Sequence, residues 1–236
     1  MPLIEVKNLR KTYRDKVAVE DVSFTVERGE IFGILGTNGA GKTTTVECLQ
    51  GLRTPDAGSI SVLGLDPRKD GVALRQKLGA QLQESQLPEK LKVIEALELF
   101  ASFYDNPANP ETLIEQLGLT EKRKSYFKDL SGGQKQRLSI ALALVGNPEI
   151  AVLDELTTGL DPHARRDTWK LIEDVRDHGV TVILVTHFMD EAQRLCDRIA
   201  VIDGGRVCAL DTPAGLMATA AEATLDDAFV ALTGRN

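Results

Sequence analysis

The stretch that most constrains this chain is Gly36–Thr43, which reads Gly-Thr-Asn-Gly-Ala-Gly-Lys-Thr. It follows an apolar run, Glu30–Leu35, that can form a buried strand, and it leads into Thr43–Leu49, which can begin a helix. The spacing G-x-x-x-x-G-K-[ST] in this setting is typical of a loop that wraps the phosphates of a nucleotide. Glycines let backbone N–H groups approach the phosphates, and the helix N-terminus adds partial positive charge. We therefore predict a P-loop, with Lys42 on the β- and γ-phosphates and the Thr43 hydroxyl on Mg²⁺.

Composition narrows the class of protein. A chain of 236 residues suits one large domain or two small ones. The three cysteines have neither zinc nor redox spacing, which fits a reduced, cytosolic protein. Charge-free runs, such as residues 31–41, are much shorter than the roughly 20 residues of a membrane-spanning helix, so we expect no span. The net charge of -7 argues against sequence-independent nucleic-acid binding, and we expect no nucleic-acid partner.

The order of apolar patterns predicts an α/β fold. Alternating residues in Leu3–Lys7 and Val22–Val26 predict antiparallel strands near the start, and Ser59–Leu63 predicts another strand. From about residue 70 to residue 145 the spacing is helical, with a break at Asn106–Pro110.

Later in the chain, short apolar runs alternate with helical patterns, which predicts parallel strands joined by crossover helices. The runs are Ile150–Leu153, Val180–Val185 and Arg198–Ile202. Ligand sites of such sheets lie at the carboxyl ends of the strands, where Gly36, Asp154 and His187 fall.

Asp154 and Glu155 end a fully apolar run. An acidic residue at this place holds Mg²⁺ in P-loop enzymes, and the adjacent carboxylate could polarise the water that attacks the γ-phosphate. The alternative is a pair of acidic residues that cap the start of a loop or helix. With a P-loop upstream, we favour the metal residue and the base.

Leu130–Gln134, which reads Leu-Ser-Gly-Gly-Gln, precedes a good helix and looks like a second anion site. Ser131 is an N-cap type, and Gly132 and Gly133 would expose N–H groups at a positive helix end. One nucleotide does not need two such sites from one subunit, so we hypothesise that this one serves the nucleotide of a second copy of the chain. A plain capped helix remains the alternative.

Together these motifs make the chain resemble the nucleotide-binding subunit of ABC transporters over about residues 3–212, with Leu130–Gln134 as the family signature. The resemblance implies an α/β, P-loop NTPase core with a mixed, mostly parallel sheet, an N-terminal antiparallel β subdomain and an inserted α-helical subdomain. It implies one ATPase domain: residues 1–84 and 146–212 form the core, 85–145 the helical subdomain and 213–236 a short C-terminal extension. The activity implied is hydrolysis of ATP with Mg²⁺, coupled to transport by a separate transmembrane permease.

The resemblance also implies roles for individual residues. The phosphate loop is formed by Gly36, Asn38, Gly39, Ala40, Gly41, Lys42, Thr43 and Thr44. Tyr13 would stack on adenine, although a strand-edge tyrosine is the plainer interpretation. Mg²⁺ would be held by Thr43, Gln83 and Asp154. The catalytic residues would be Glu155 as base, His187 as the switch histidine and Lys42.

Contacts with a second copy would come from the signature, Ser131, Gly132, Gly133 and Gln134, and from Asp161. Gln81 competes with Gln83 for the metal role, but the offset from Leu78 favours Gln83. Where the family has proline after the acidic pair, this chain has Leu156. Proline would hold Glu155 extended, so leucine loosens that restraint, and we expect only modest effects.

Three weaker segments resemble multidrug-type (ABC-2) exporters: Gln83–Pro88, Phe100–Tyr104 and Asp227–Gly234. The last could instead be a short amphipathic helix that packs on the domain. An ATPase of the iron–sulfur assembly type, an importer ATPase and a non-hydrolysing ATP sensor remain alternatives. We expect the chain to lie on the inner face of the cell membrane, held there by its permease.

Overall fold

The computed structural model describes residues 2–81 and 87–234, and contacts between residues divide the chain into two compact units. The first unit comprises Met1–Leu74 and Ile183–Asn236, and the second comprises Arg75–Val182. Both units contain strands and helices, so the fold is mixed α/β as predicted. The predicted boundaries of the helical subdomain, 85–145, differ from this division and stay a prediction.

The first unit is built around a sheet. Its strands are β1 (Ile4–Tyr13), β2 (Lys16–Val26), β3 (Ile31–Leu35), β4 (Ala57–Val62), β8 (Arg198–Asp203) and β9 (Arg206–Asp211). They lie in the order β4-β1-β2-β9-β8-β3. The predicted antiparallel start is confirmed, since β1 pairs antiparallel with both β2 and β4. Strand β3 is buried along its whole length and runs parallel to β8, with Phe32 opposite Arg198.

Helices complete the first unit. They are α1 (Lys42–Leu49), α7 (Met189–Leu195), α8 (Pro213–Ala220) and α9 (Leu225–Thr233). Helix α9 buries Leu225, Ala228 and Phe229 and packs against α7 and α8. The alternative of an amphipathic helix for the C-terminal segment therefore describes its structure.

The second unit combines two paired parallel strands with helices. Its elements are β5 (Leu78–Ala80), β6 (Ile150–Asp154), α3 (Val93–Ala101), α4 (Pro110–Gln116), α5 (Gly132–Leu144) and α6 (Pro162–Asp177), with short 3-10 turns at Thr120–Lys122 and Phe127–Asp129. Two further elements, α2 (Gly71–Arg75) and β7 (Thr181–Thr186), cross the division between the units.

Strand β5 corrects the prediction of helical spacing from about residue 70 to residue 145, which allowed only for the break at Asn106–Pro110. Three residues are too few to show a period of their own, so the surrounding helical pattern hid the strand. Its position is set by packing, because a Cβ on Gly79 would overlap the carbonyl group of Ala143 in α5. The predicted break before α4 is confirmed, with Asn109 as its cap, accepting a hydrogen bond from the Glu111 N–H at 2.9 Å.

Candidate functional site

The loop between β3 and α1 is shaped by two glycines. Gly41 has φ +108°, and a Cβ there would lie 2.6 Å from the Ala18 carbonyl oxygen. At Gly36 a Cβ would overlap the carbonyl oxygen of Ile202. Any other residue at either place would push this loop away from the strands beneath it, so the glycines of the motif are required by the fold.

Lys42 is oriented by the loop that it follows. Its side chain is buried, and Nζ donates to the carbonyl oxygens of Gly36 at 2.8 Å and Thr37 at 3.1 Å. The loop therefore curls around the lysine ammonium group. Asn38, Gly39 and Thr43 are exposed beside it, and Thr44 is half-buried. A cationic group and the first N–H groups of α1 thus face one concave loop, which is the geometry of an anion site.

The turn between β8 and β9 anchors the P-loop at Ala40, although the two segments are distant in sequence. The Gly205 N–H, between β8 and β9, donates to the Ala40 carbonyl oxygen at 2.9 Å. The Gly205 carbonyl oxygen in turn accepts from the Glu20 N–H at 2.8 Å. These bonds tie the P-loop to β2 and to the β8–β9 turn. Sequence reasoning missed this anchor because no local pattern pairs residues so far apart.

Tyr13 lies at the end of β1 with an exposed ring. Lys11 Nζ is 5.6 Å and Arg53 Cζ 5.9 Å from the ring centroid, so two cations lie near the aromatic ring. Lys11 is itself paired with Asp56 at 2.9 Å, and this hydrogen bond raises the pKa of Lys11 and lowers that of Asp56. The ring is accessible, and its stacking on adenine stays a prediction.

His187 follows β7 directly, as the sequence predicts for a residue at a strand end. Its ring lies 4.1 Å from the Phe188 ring, centroid to centroid. The Phe188 N–H donates to the Thr186 hydroxyl at 3.0 Å, which turns the chain sharply after the strand. His187 is half-buried.

In the second unit, the acidic pair ends strand β6, which is buried along its length. The Asp154 side chain is buried, and Glu155 is half-buried. Glu155 has φ +48°, a left-handed backbone that is uncommon for a residue other than glycine. The predicted strand is confirmed. The left-handed turn is a feature that sequence reasoning did not anticipate.

The residue type at position 156 affects which backbone conformation Glu155 can adopt. Proline would have disfavoured a helical backbone, right- or left-handed, at the residue before it. Leucine permits the left-handed form, and its own side chain is completely buried. The expectation that leucine loosens the restraint on Glu155 thus has a structural counterpart: Glu155 is turned, where proline would have favoured the extended form.

Gln81, the competitor for the metal role, has a structural contact. Its side-chain Oε1 accepts a hydrogen bond from the Asp154 N–H at 3.1 Å, and both side chains are buried. Gln83 lies outside the described residues. So does the rest of Gln83–Gln86, the first part of the exporter-like segment Gln83–Pro88.

The signature segment starts α5 with a capping box. The Gln134 N–H donates to Ser131 Oγ at 3.3 Å, and the Ser131 N–H donates to Gln134 Oε1 at 3.0 Å. The capped helix is therefore confirmed, and Ser131 and Gly132 are exposed at its start. Its role in binding a phosphate stays a prediction.

A second helix begins beside the signature. Asp161 caps α6 by accepting from the N–H groups of His163 at 2.9 Å and Ala164 at 3.0 Å, and these bonds lower the pKa of the Asp161 carboxyl. A Cβ on Gly133 would lie 3.5 Å from the Ala164 Cβ, so the glycine lets the two helix starts approach. Between them lies a cavity of about 520 Å³, lined by Ser131, Gly133, Gln134, Arg137, Asp161 and His163, among others.

The two histidines other than His187 are surface residues. Both are exposed: His163 lies 3.5 Å from Asp167 in the ion-pair geometry, and His178 Nδ1 is 2.6 Å from the Asp174 carbonyl oxygen. Each contact is with a neighbour one turn away on or next to α6, as expected of a surface residue.

Comparison with known proteins decides the family. Residues 19–158 match the family described as ABC transporter. A "Nod factor export ATP-binding protein I" of Burkholderia lata is 42% identical over 219 residues, which is 91% of this chain and 72% of that protein. The chain belongs to the ABC transporter family.

Solved structures agree with this assignment. An ATP-binding subunit of an ABC transporter superposes with a TM-score of 0.87 at 31% identity, covering 98% of this chain and 99% of that one. A dimeric ATP-binding cassette, in a post-hydrolysis state bound to ADP and Pi, gives 0.79 at 26% identity, covering 89% and 98%. The chain is thus an ABC transporter ATP-binding domain with a P-loop NTPase fold and is an ATPase, as predicted.

The two units divide the predicted site residues of this ABC ATPase between them. The first unit holds Tyr13, the P-loop from Gly36 to Thr44, and His187. The second holds the signature, Asp154, Glu155 and Asp161. Each group lies at the end of a strand or the start of a helix.

Proposed function

We propose that this chain is the ATP-hydrolysing subunit of an exporter and that it acts as a pair of copies on a separate transmembrane permease. The observation that carries the proposal is the 42% identity, over 91% of the chain, to a relative named for export. The weak resemblance of Asp227–Gly234 and Phe100–Tyr104 to multidrug-type (ABC-2) exporters points the same way.

The residues present fit ATP and Mg²⁺. The P-loop is a cradle that side chains at Gly36 and Gly41 would disrupt, and Lys42 points its ammonium group into the loop. The Thr43 hydroxyl, the Asp154 carboxylate and Gln83 would hold the ion, and oxygen donors are the ligands Mg²⁺ prefers. When bound, the ion would neutralise charge on the β- and γ-phosphate oxygens.

The chain's own groups would then perform the hydrolysis by positioning and charge stabilisation. Lys42 and the N–H groups of Gly39, Gly41 and Thr43 would bind the phosphates, and Tyr13 would stack on the adenine. Glu155 would orient the attacking water and accept its proton. His187 would donate a hydrogen bond to the γ-phosphate.

The signature would complete the site from a second copy. Exposed Ser131 and Gly132 start α5, and Asp161 starts α6 beside it, so both belong to a surface that a second chain could cover. A solved neighbour at 26% identity is itself dimeric, which supports the same arrangement here. ATP would hold the two copies together, and loss of the γ-phosphate would release them.

We propose that a separate permease supplies the membrane-spanning part of the transporter. Among residues 2–81 and 87–234, no helix combines the length and apolar character that a bilayer span requires. We propose that the chain lies against the inner face of the cell membrane, bound to this partner, and that hydrolysis drives movement of substrate outward.

A pull-down tests the exporter assignment. The full chain, tagged and carrying Glu155→Gln, is recovered from solubilised membranes of its source with ATP present. We expect a multi-spanning membrane protein to copurify in proportion to the chain, and vesicles containing both proteins with wild-type Glu155 to move substrate away from the ATPase side. Recovery of only soluble iron–sulfur assembly proteins, or movement toward the ATPase side, would overturn the proposal.

A further inference from the structure

The ladder between β5 and β6 continues past the last paired residues through a side chain. The paired residues are Leu78 with Ile150, Gly79 with Ala151 and Ala80 with Val152. The Gln81 N–H extends the ladder by donating to the Val152 carbonyl oxygen at 2.9 Å. On β6 the N–H of Asp154 then donates to Gln81 Oε1 at 3.1 Å. The amide side chain thus acts as an acceptor at the point where strand β5 has ended.

This hydrogen bond is shielded from water. Gln81 is 9% exposed and Asp154 is 7% exposed. An N–H group that loses its acceptor in such a place is not readily rescued by solvent, so the chain would shift to find another partner. The bond therefore fixes the backbone at Asp154 more firmly than an exposed bond would.

This hydrogen bond restrains the backbone directly before Glu155. Glu155 turns into the left-handed conformation, φ +48°, directly after the held N–H. Its carbonyl oxygen accepts from the Thr158 N–H at 3.2 Å, and the next side chain, Leu156, is completely buried. A left-handed residue other than glycine persists only where its surroundings hold it on both sides. Leu156 brings no proline ring to restrain the backbone, and the hydrogen bond from the Asp154 N–H to Gln81 Oε1 restrains it directly before Glu155.

We propose that Gln81 is a positioning residue for Glu155: its side-chain amide holds the Asp154 N–H and so sets the direction in which the Glu155 carboxylate leaves the strand. The proposal rests on the function proposed above for Glu155 as the base. Gln81 acts through the backbone and has no contact with substrate in this scheme.

The test compares two glutamines in the full-length protein. Gln81→Met keeps the length of the side chain and removes the amide acceptor. Gln76→Met is the matched control, because Gln76 Oε1 also accepts a backbone N–H, that of Asp105, at 2.9 Å, but at a surface remote in sequence from the acidic pair. Gln81→Asn, which keeps the amide and shortens its reach, serves if Gln81→Met does not fold.

We expect Gln81→Met and Gln81→Asn to lower kcat for ATP roughly tenfold, because small displacements of a catalytic group cost this much or more. The KM for ATP and the affinity for a fluorescent ATP analogue should stay within about twofold of wild type, since binding does not need the base. Gln76→Met should change none of these quantities. Amide hydrogen exchange at Asp154 and Glu155 should quicken in the Gln81 variants alone.

Two outcomes overturn the proposal: wild-type kcat in a folded Gln81 variant, or an equal loss in Gln76→Met. Glu155→Gln distinguishes a failure of the positioning role of Gln81 from a failure of the proposed role of Glu155 as the base. If Glu155→Gln hydrolyses ATP like the wild type, the role of Glu155 fails. If Glu155→Gln is inactive and the Gln81 variants are fully active, only the positioning role fails. Adding Gln81→Met to Glu155→Gln should cause no further loss in single-turnover rate, because both changes remove the same function.

Discussion

Gly41 and Lys42 are adjacent, and the P-loop has opposite requirements at the two positions. Gly41 must lack a side chain, because its φ is +108° and the Ala18 carbonyl oxygen lies where a Cβ would be. Lys42 must keep its side chain, because its ammonium group is what the loop carbonyls surround. One position gives the loop its shape and the next gives it its charge.

Gly41→Ala should weaken ATP binding and destabilise the first unit together. The strain of a left-handed alanine is about 1–3 kcal/mol, and the steric overlap adds to it. Gly29→Ala is the control, since Gly29 has φ +79° with open space around its Cβ position. Thermal unfolding and titration with a fluorescent ATP analogue measure both effects. If Gly29→Ala weakened ATP binding as much as Gly41→Ala, backbone strain and not the close approach to Ala18 would be the cause.

The elements differ in how far the sequence predicts them, and the reason is the range of the contacts that form them. The P-loop, strand β6 and the Ser131 cap are specified by neighbouring residues, so their patterns could be read directly. Strand β5 depends on packing against α5, and the left-handed Glu155 depends on its buried surroundings. Contacts between distant residues, such as Gly205 with Ala40, leave no local pattern to read.

The starts of β3 and β8 meet at a buried carboxylate whose ionisation opposes folding. Glu30 accepts from the Glu27 N–H at 2.7 Å and from Arg198 at 3.3 Å, yet burial outweighs both and raises the pKa of its carboxyl. A carboxyl whose pKa is raised by folding contributes stability below its unfolded pKa, about 4.3, and loses it as the pH rises through the folded value.

Glu30→Gln should therefore raise the melting temperature at about pH 7 and leave it nearly unchanged at about pH 4, where wild-type Glu30 is protonated. The glutamine oxygen can still accept from the Glu27 N–H. Thermal unfolding of both proteins across this range gives the difference. A gain that is the same at both pH values would mean that side-chain ionisation is not its source.

Helix α9 connects the C-terminal segment to the element that follows His187. Phe229 is 5% exposed and belongs to the face that packs on α7 and α8. Phe229→Ala should lower the free energy of unfolding by about 3–5 kcal/mol, through lost burial and the cavity left behind. Val230→Ala, a change at a 43% exposed neighbour, should cost far less. Denaturant unfolding of the two variants makes the comparison, and equal losses would contradict the packing described for α9.

At the scale of the whole molecule, the exposed signature leads to a prediction about assembly. A chain with net charge -7 repels its own copies, so a dimer needs a specific attraction at the interface. ATP can supply it when a P-loop binds the phosphates from one side and Ser131 and Gly132 of a second copy bind them from the other. In the proposed function this attraction would persist only while the γ-phosphate is present, so a hydrolysis-deficient variant is the right protein to examine.

Glu155→Gln in saturating Mg-ATP should have about twice the 25.7 kDa mass of the single chain by light scattering, and it should return to the single-chain mass in ADP. Adding Ser131→Asp to the same variant is the control, because its carboxylate at the start of α5 would repel a phosphate, while aspartate can still cap the helix. This double variant should bind ATP through its own P-loop and stay monomeric. If the Glu155→Gln chain stays monomeric in ATP, or if its dimer survives Ser131→Asp, the signature is not part of a nucleotide interface and is only a capped helix start.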